Sequence, residues 1–157
     1  MAVGKAKGTF ALKSATLVVG ANGIADASVT AEIDAASVDT KQEQRDAHVR
    51  SADFLDVENH PTLTFVSKAV KDIDGEEFVL VGDLTIRGTS NEVELATEFL
   101  GETVDAYGHT RAGFSAKTSI SRKAYGVSFE AAFGAGNAVV ADKVEIDLEL
   151  EFVRNAD

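Results

Sequence analysis

Residues 40–65 read TKQEQRDAHVRSADFLDVENHPTLTF, a polar, helix-prone island that carries the chain's single proline and separates two runs of β-type sequence. Thr40 followed by Glu43 has the spacing of a capping box, in which the hydroxyl accepts from the third helical N–H and the carboxylate reaches back to the cap, so a short helix is expected to open at Lys41. Ser51 and Asp53 offer a second cap, giving helical turns over about 41–56. Pro61 removes a backbone donor and drives His60 into an extended conformation, which ends the island where a strand begins.

On both sides of the island, apolar and polar residues alternate with the period of half-buried strands. Val144, Ile146, Leu148, Leu150 and Phe152 share one face of a C-terminal segment, with Glu145, Asp147, Glu149 and Glu151 on the other. Ala112, Phe114, Ala116, Thr118 and Ile120 repeat the pattern, as do Ala27, Val29, Ala31 and Ile33, and Val93, Leu95, Thr97 and Phe99. Strands are expected near 5–19, 24–34, 62–71, 76–87, 91–104, 109–121 and 142–154, with an irregular stretch from Arg122 to Ala141. Asn22-Gly23 and Asp74-Gly75 are hairpin signals because both dipeptides tolerate positive φ. The apolar phase shifts near Ser14-Ala15, which predicts a bulge. Phe78-Val79-Leu80-Val81 is apolar on both faces and predicts a strand covered by a helix or loop. The expected class is all-β: an antiparallel barrel of about seven to eight strands with one short helical insertion, since closure removes exposed sheet edges.

Composition narrows the function classes. A chain of 157 residues reads as a single domain over 1–157 that can bury roughly two thirds of its unfolded surface. The absence of cysteine excludes disulfides and thiolate metal sites. A net charge of −11 opposes binding to nucleic acid or to an anionic membrane surface. Residues 1–7, MAVGKAK, contain no apolar core of a signal peptide, and no run approaches a membrane-spanning helix, so the sequence as written reads as soluble and cytoplasmic without stable membrane insertion. Catalysis is not expected. Asp46, His48 and Ser51 lie close in sequence without any nucleophile-elbow motif, the histidines at 48, 60 and 109 have no metal-ligand spacing, and neither a Walker motif nor a dinucleotide fingerprint is present.

The island contains, in order, R-D-x-H (Arg45 to His48), S-x-D-F (Ser51 to Phe54) and H-P-x-x-x-F (His60 to Phe65). Farther along stand Gly82-Asp83-Leu84-Thr85-Ile86-Arg87-Gly88, then Arg111-Ala112-Gly113-Phe114, and Ile120-Ser121-Arg122-Lys123-Ala124-Tyr125-Gly126, with Gly8-Thr9-Phe10 near the start. In these motifs and their order the chain resembles the YceI family of lipocalin-like polyisoprenoid-binding proteins, whose motifs read G-x-F, G-D-L-T-x-x-G, R-x-G-F and I-x-R-x-x-[FY]-G. Val49, Leu55 and Ala124 depart from the residues common there, Leu, Phe and Asp respectively. By this count the family's first strand is expected to be absent, leaving the strand near Lys5 and one near the C-terminus with open edges on which a homodimer is expected.

Inward faces mixing large residues with Ala27, Ala31, Ala69, Ala112 and Ala116 fit either a filled core or a cavity; the resemblance implies an apolar tunnel holding a long isoprenoid chain. The residues then expected to contact such a lipid are Val29, Ile33, Phe54, Phe65, Leu84, Phe99, Phe114, Ala116, Ile146 and Leu148. Nine Phe, two Tyr and no Trp suit a hydrocarbon wall, and suit an ordinary core equally. Arg45 and His48 are candidates for the head group, because a guanidinium can grip a phosphate or a quinone oxygen; the same residues could instead pin the island to the barrel. The expected ligand is a polyprenyl phosphate or an isoprenoid quinone, with no other cofactor and no metal.

Overall fold

The computed structural model describes residues 7–128 and 141–154. Seven strands form one antiparallel meander in chain order: β1 (Thr9–Gly20), β2 (Gly23–Asp39), β3 (Thr62–Asp74), β4 (Glu77–Ile86), β5 (Thr89–Val104), β6 (Thr110–Ser121) and β7 (Lys143–Val153). One helix, α1 (Glu43–Arg50), lies between β2 and β3, and a 3₁₀ turn (Arg122–Tyr125) follows β6. The sheet curls until β1 comes near β7, giving a nearly closed barrel. Among the described residues, β1 is paired only with β2 and β7 only with β6, so closure stops short of a ladder between the first and last strands.

The alternation forecast in sequence sets the inside of the barrel. Phe78, Leu80, Leu84 and Ile86 of β4, Val93 and Leu95 of β5, and Phe114 and Ala116 of β6 are buried, while Glu92, Glu94 and Glu98 face water. The outer side of β4 keeps Val79 and Val81 half-buried. Val79 stands opposite Lys71 and Val81 opposite Glu94, and the 2.7 Å Lys71–Glu94 ion pair therefore crosses β4 above them, its aliphatic stem shielding apolar surface. Flanking strands provide this cover, whereas α1 packs on β2 rather than on β4.

Of two bulges, one matches the expected phase shift and the other corrects an inward assignment. The register of β1 slips between Leu12 and Ser14, next to the expected bulge at Ser14-Ala15. A second slip between Ser67 and Ala69 inserts Lys68 into β3, turning Ala69 outward and bringing Val70 to the apolar interior in its place. The hairpins are tight. Ala21-Asn22 form the first, with Gly23 taking the positive φ of 68° as the opening residue of β2. Arg87 and Gly88, with φ of 50° and 75°, form a two-residue primed turn between β4 and β5.

Three hairpins, β1–β2, β3–β4 and β5–β6, lie at one end of the barrel. The β5–β6 hairpin is fastened by Asp105, whose Oδ1 accepts from the N–H of Tyr107 (2.8 Å) and of His109 (3.0 Å), while Oδ2 accepts from Arg111 Nε (2.9 Å). The His109 N–H and the Arg111 guanidinium hold its carboxyl below the usual carboxylate range. At the opposite end, the Ser121 hydroxyl and the Lys123 N–H do the same for Asp142. A depressed folded-state pKa contributes stability above the unfolded pKa and loses it as pH falls through the folded value. We expect the melting temperature to drop as pH is lowered below about 4, with Asp105→Asn flattening part of that drop; parallel pH profiles for the two proteins would remove Asp105 from this account.

Candidate functional site: the barrel interior and its side cleft

The island closes the end of the barrel opposite the three hairpins, and its local structure differs from the capping-box expectation. Lys41 adopts a φ of 65°, Gln42 is the N-cap without a side-chain hydrogen bond, and the helix opens at Glu43. The Thr40 hydroxyl instead donates to Asp46 Oδ1, which also accepts from the Thr40 N–H at 2.8 Å, and the same hydroxyl accepts from Arg45 Nε at 2.8 Å. Buried Asp46 offers a charged acceptor to two Thr40 donors at once, which outcompetes a lone helical N–H. Ser51 is the helix C-cap; its hydroxyl donates to the His48 carbonyl and accepts from the Asp53 N–H, so residues 51–59 are turns rather than a second helix.

Arginines bind this cap to the strands. Arg50 Nε donates to the Ala36 carbonyl (2.8 Å), and Arg87 Nη1, from the β4–β5 turn, to the Phe54 carbonyl (3.0 Å). Arg45 Nη2 donates to the Thr40 carbonyl (2.8 Å), an intra-island contact on an exposed side chain. His48 Nε2 lies 2.9 Å from Asp53 Oδ2, and its ring meets Phe54 edge-on at 4.9 Å. The polar contacts of Asp46 and Ser51 run to Thr40 and to main chain, an arrangement unlike a Ser-His-Asp relay.

Ten of the twelve side chains expected to meet a lipid come together. Phe65, Leu84, Phe114 and Ala116 belong to one buried apolar cluster, and Val29, Ile33, Phe54, Phe99, Ile146 and Leu148 pack against it half-buried. Arg45 is exposed, and His48 meets the edge of that cluster through its contact with Phe54. Phe114 is the hub of the aromatic wall, with ring centroids 6.4 Å from Phe78, 5.3 Å from Phe99 and 5.9 Å from Phe152. The one polar side chain buried on this face of β5, Thr97, is satisfied by the Leu95 carbonyl at 2.9 Å. Burial is uneven around the barrel: the fully buried side chains concentrate on β3–β6, whereas Leu17, Val29, Ile33, Ile146 and Leu148 on β1, β2 and β7 pack against the cluster only partly buried, as do Val70, Phe99, Ala112 and Ile120 on the denser side.

The wall also opens sideways. The β5–β6 ladder starts only at Ala96 and Lys117; beyond it, residues 91–95 of β5 pair with β4 alone and residues 118–121 of β6 with β7 alone. Between the splayed strands lies an open cleft of about 640 Å³, lined by residues 91–94 and 118–121 with Ala124 and Tyr125 of the 3₁₀ turn. Asn91 Nδ2 ties the turn to β5 through the Ala124 carbonyl at 2.8 Å. Behind it, Arg122 is buried and donates through Nε to the Ala141 carbonyl (2.9 Å) and through Nη1 to the Val127 carbonyl (2.7 Å). Sequence reasoning left Arg122 and Tyr125 in an irregular stretch without a role; their only signal was the I-x-R-x-x-[FY]-G motif. Residues 129–140 of that stretch lie outside the described residues.

A family model for the YceI-like domain matches residues 1–152. The chain belongs to the YceI-like family. Among relatives of this YceI-like protein, a UPF0312 protein of Staphylococcus epidermidis is 34% identical over 96% of the chain and 85% of its own length. Protein YceI of Escherichia coli O157:H7 is 38% identical over 76% of the chain and 62% of its own length. The chain spans only 52% to 63% of the length of UPF0312 proteins from Azotobacter vinelandii, Ectopseudomonas mendocina and Pectobacterium that it also matches. The barrel superposes on a Campylobacter jejuni YCEI protein with a TM-score of 0.79 at 26% identity, covering 99% of this chain and 89% of the other. Against Burkholderia cenocepacia BcnA the TM-score is 0.76 at 26% identity, covering 92% and 86%. Family and superposition together establish a YceI-type, lipocalin-like barrel.

Proposed function

We propose that the chain is a non-enzymatic carrier or sequestering protein for a lipophilic isoprenoid, a polyprenyl phosphate or an isoprenoid quinone, whose tail lies inside the barrel. The observation that carries this reading is the partly buried inward face of β1, β2 and β7: Leu17, Val29, Ile33, Ile146 and Leu148 pack against the apolar cluster but stay partly accessible. Apolar side chains left in this state inside a fold gain by contact with hydrocarbon, at about 0.8 kcal/mol per methylene removed from water before binding costs are deducted. Long tails are therefore favoured over short ones.

The competing reading, a filled barrel serving a structural or interaction role, draws on the dense Phe78–Phe99–Phe114–Phe152 wall. Organic extraction of the purified protein followed by mass spectrometry separates the two: a stoichiometric isoprenoid is expected, and a protein that neither carries one nor takes one up from solution has a filled core. Ala116→Trp sharpens the test, because Ala116 faces inward between Thr97 and Leu148. We expect it to abolish lipid uptake with the fold retained. In a filled core the same indole would be overpacked and cost typically about 1–3 kcal/mol of stability in a protein that never held lipid.

A further inference from the structure

Tyr125 is 2% exposed, the most deeply buried large side chain described, and its hydroxyl has no hydrogen-bond partner among the described residues. Tyr125 is one of the residues lining the cleft between β5 and β6 and belongs to the apolar cluster of the interior, so it stands where the side opening meets the barrel. An unpaired buried hydroxyl is costly, and phenylalanine would give the same ring without that cost. Burial raises the phenol above its ordinary pKa, which keeps it a neutral O–H donor at physiological pH.

The chemistry of the cleft restricts what can pair with this donor. Its lining includes the carboxylates of Glu92 and Glu94 and no basic side chain among the described residues. Lys68 and Lys71, which pair with these carboxylates, belong to the outer face of β3. A phosphate at the cleft would find two lysine-paired carboxylates and no free cation among the described lining residues, in a protein of net charge −11. A neutral carbonyl oxygen meets no such penalty and supplies the acceptor that Tyr125 lacks.

We propose that the cleft between β5 and β6 is a head-group subsite in which Tyr125 donates a hydrogen bond to the carbonyl oxygen of a neutral lipophile whose tail lies in the barrel. This assignment rests on the lipid-binding reading above and places the head group at the side of the barrel, beside the 3₁₀ turn, rather than on Arg45 and His48 of the island. It also implies that a quinone, ketone, ester or amide is preferred over a phosphate.

The test compares the full chain with Tyr125→Phe after delipidation, using three probes of equal polyprenyl length: a benzoquinone, the plain hydrocarbon and the monophosphate. Wild type is expected to bind the quinone most tightly, and Tyr125→Phe to weaken it about tenfold while leaving the hydrocarbon unchanged. The infrared carbonyl stretch of the bound quinone is expected at lower frequency in wild type than in the variant. Unliganded Tyr125→Phe is expected to melt no lower than wild type, because an unpaired hydroxyl has been removed. Equal losses for quinone and hydrocarbon, or a lower melting temperature of the empty variant, would overturn the assignment while leaving lipid binding intact; failure of wild type to take up any probe would overturn both readings.

Discussion

Replacing Gly82 by alanine is expected to destabilise the protein by about 3 kcal/mol, at the upper end of what overpacking costs. Gly82 sits in the middle of β4 opposite Ser67, and the Phe65 ring from the neighbouring strand lies across its missing side chain. A Cβ there would stand 2.5 Å from Phe65 Cζ and 2.6 Å from the Val66 carbonyl oxygen. The ring could turn aside, although it is buried among Leu84 and its neighbours; the carbonyl belongs to the strand itself and cannot. The double variant Gly82→Ala with Phe65→Leu is accordingly expected to recover little, because the backbone obstacle persists. Denaturant midpoints would decide the matter. A single variant with wild-type stability would show that β3 and β4 have slack, and near-complete recovery in the double variant would identify the ring as the sole obstacle.

Gly82 also illustrates how far the sequence speaks. The G-D-L-T segment identifies the family and places a glycine in a central strand, but only the register reveals that an aromatic from the next strand occupies its face. The strands themselves were readable because one physical rule, a period of two with one side in water, governs all of them. Ile146 to Phe152 and Ala112 to Ile120 face inward as their alternation predicts, whereas Val144 at the start of β7 is exposed. The rule fails where an extra residue enters: Lys68 shifts the phase of β3, and nothing in the S-K-A-V string distinguishes that bulge from continuous alternation. It fails again at Arg87-Gly88, because an arginine at positive φ carries no compositional signal, and the turn therefore read as a longer connection.

The island failed in the opposite direction, by offering too clear a signal. Thr40 and Glu43 have correct capping-box spacing, yet Asp46, six residues from Thr40, takes the threonine's hydroxyl and its N–H together. Local motifs rank partners by distance along the chain, whereas a buried carboxylate ranks them by the donors it can reach. The apolar lining was legible for the same reason as the strands, and its members do share one cluster. The side cleft was not, since it arises from two strands parting beyond Ala96 and Lys117, and a ladder that stops leaves each strand's own alternation intact.

Arg122→Ala is expected to be at least as damaging as the glycine change, costing about 3 kcal/mol or more, because it strands buried acceptors instead of crowding a strand. Arg122 is 6% exposed, and its guanidinium reaches the carbonyls of Val127 and Ala141, which flank residues 129–140 on either side. The Arg122 main chain repeats the link, its N–H donating to the Asp142 carbonyl and its carbonyl accepting from the Val127 N–H. One residue thus fixes the start of β7 against the 3₁₀ turn that carries Tyr125. Arg122→Lys is expected to restore less than half of the loss, since an ammonium is a compact donor and cannot span both carbonyls as a planar fork does. Chemical denaturation of both variants would measure the loss, and hydrogen exchange at the Val127 amide would localise it. Lipid uptake gives a further separation: loosening this wall should weaken quinone and hydrocarbon probes alike, in contrast to the head-group-selective effect of Tyr125→Phe. A fully stable Arg122→Lys protein would mean that charge alone suffices at this position and that the fork is not what holds the wall together.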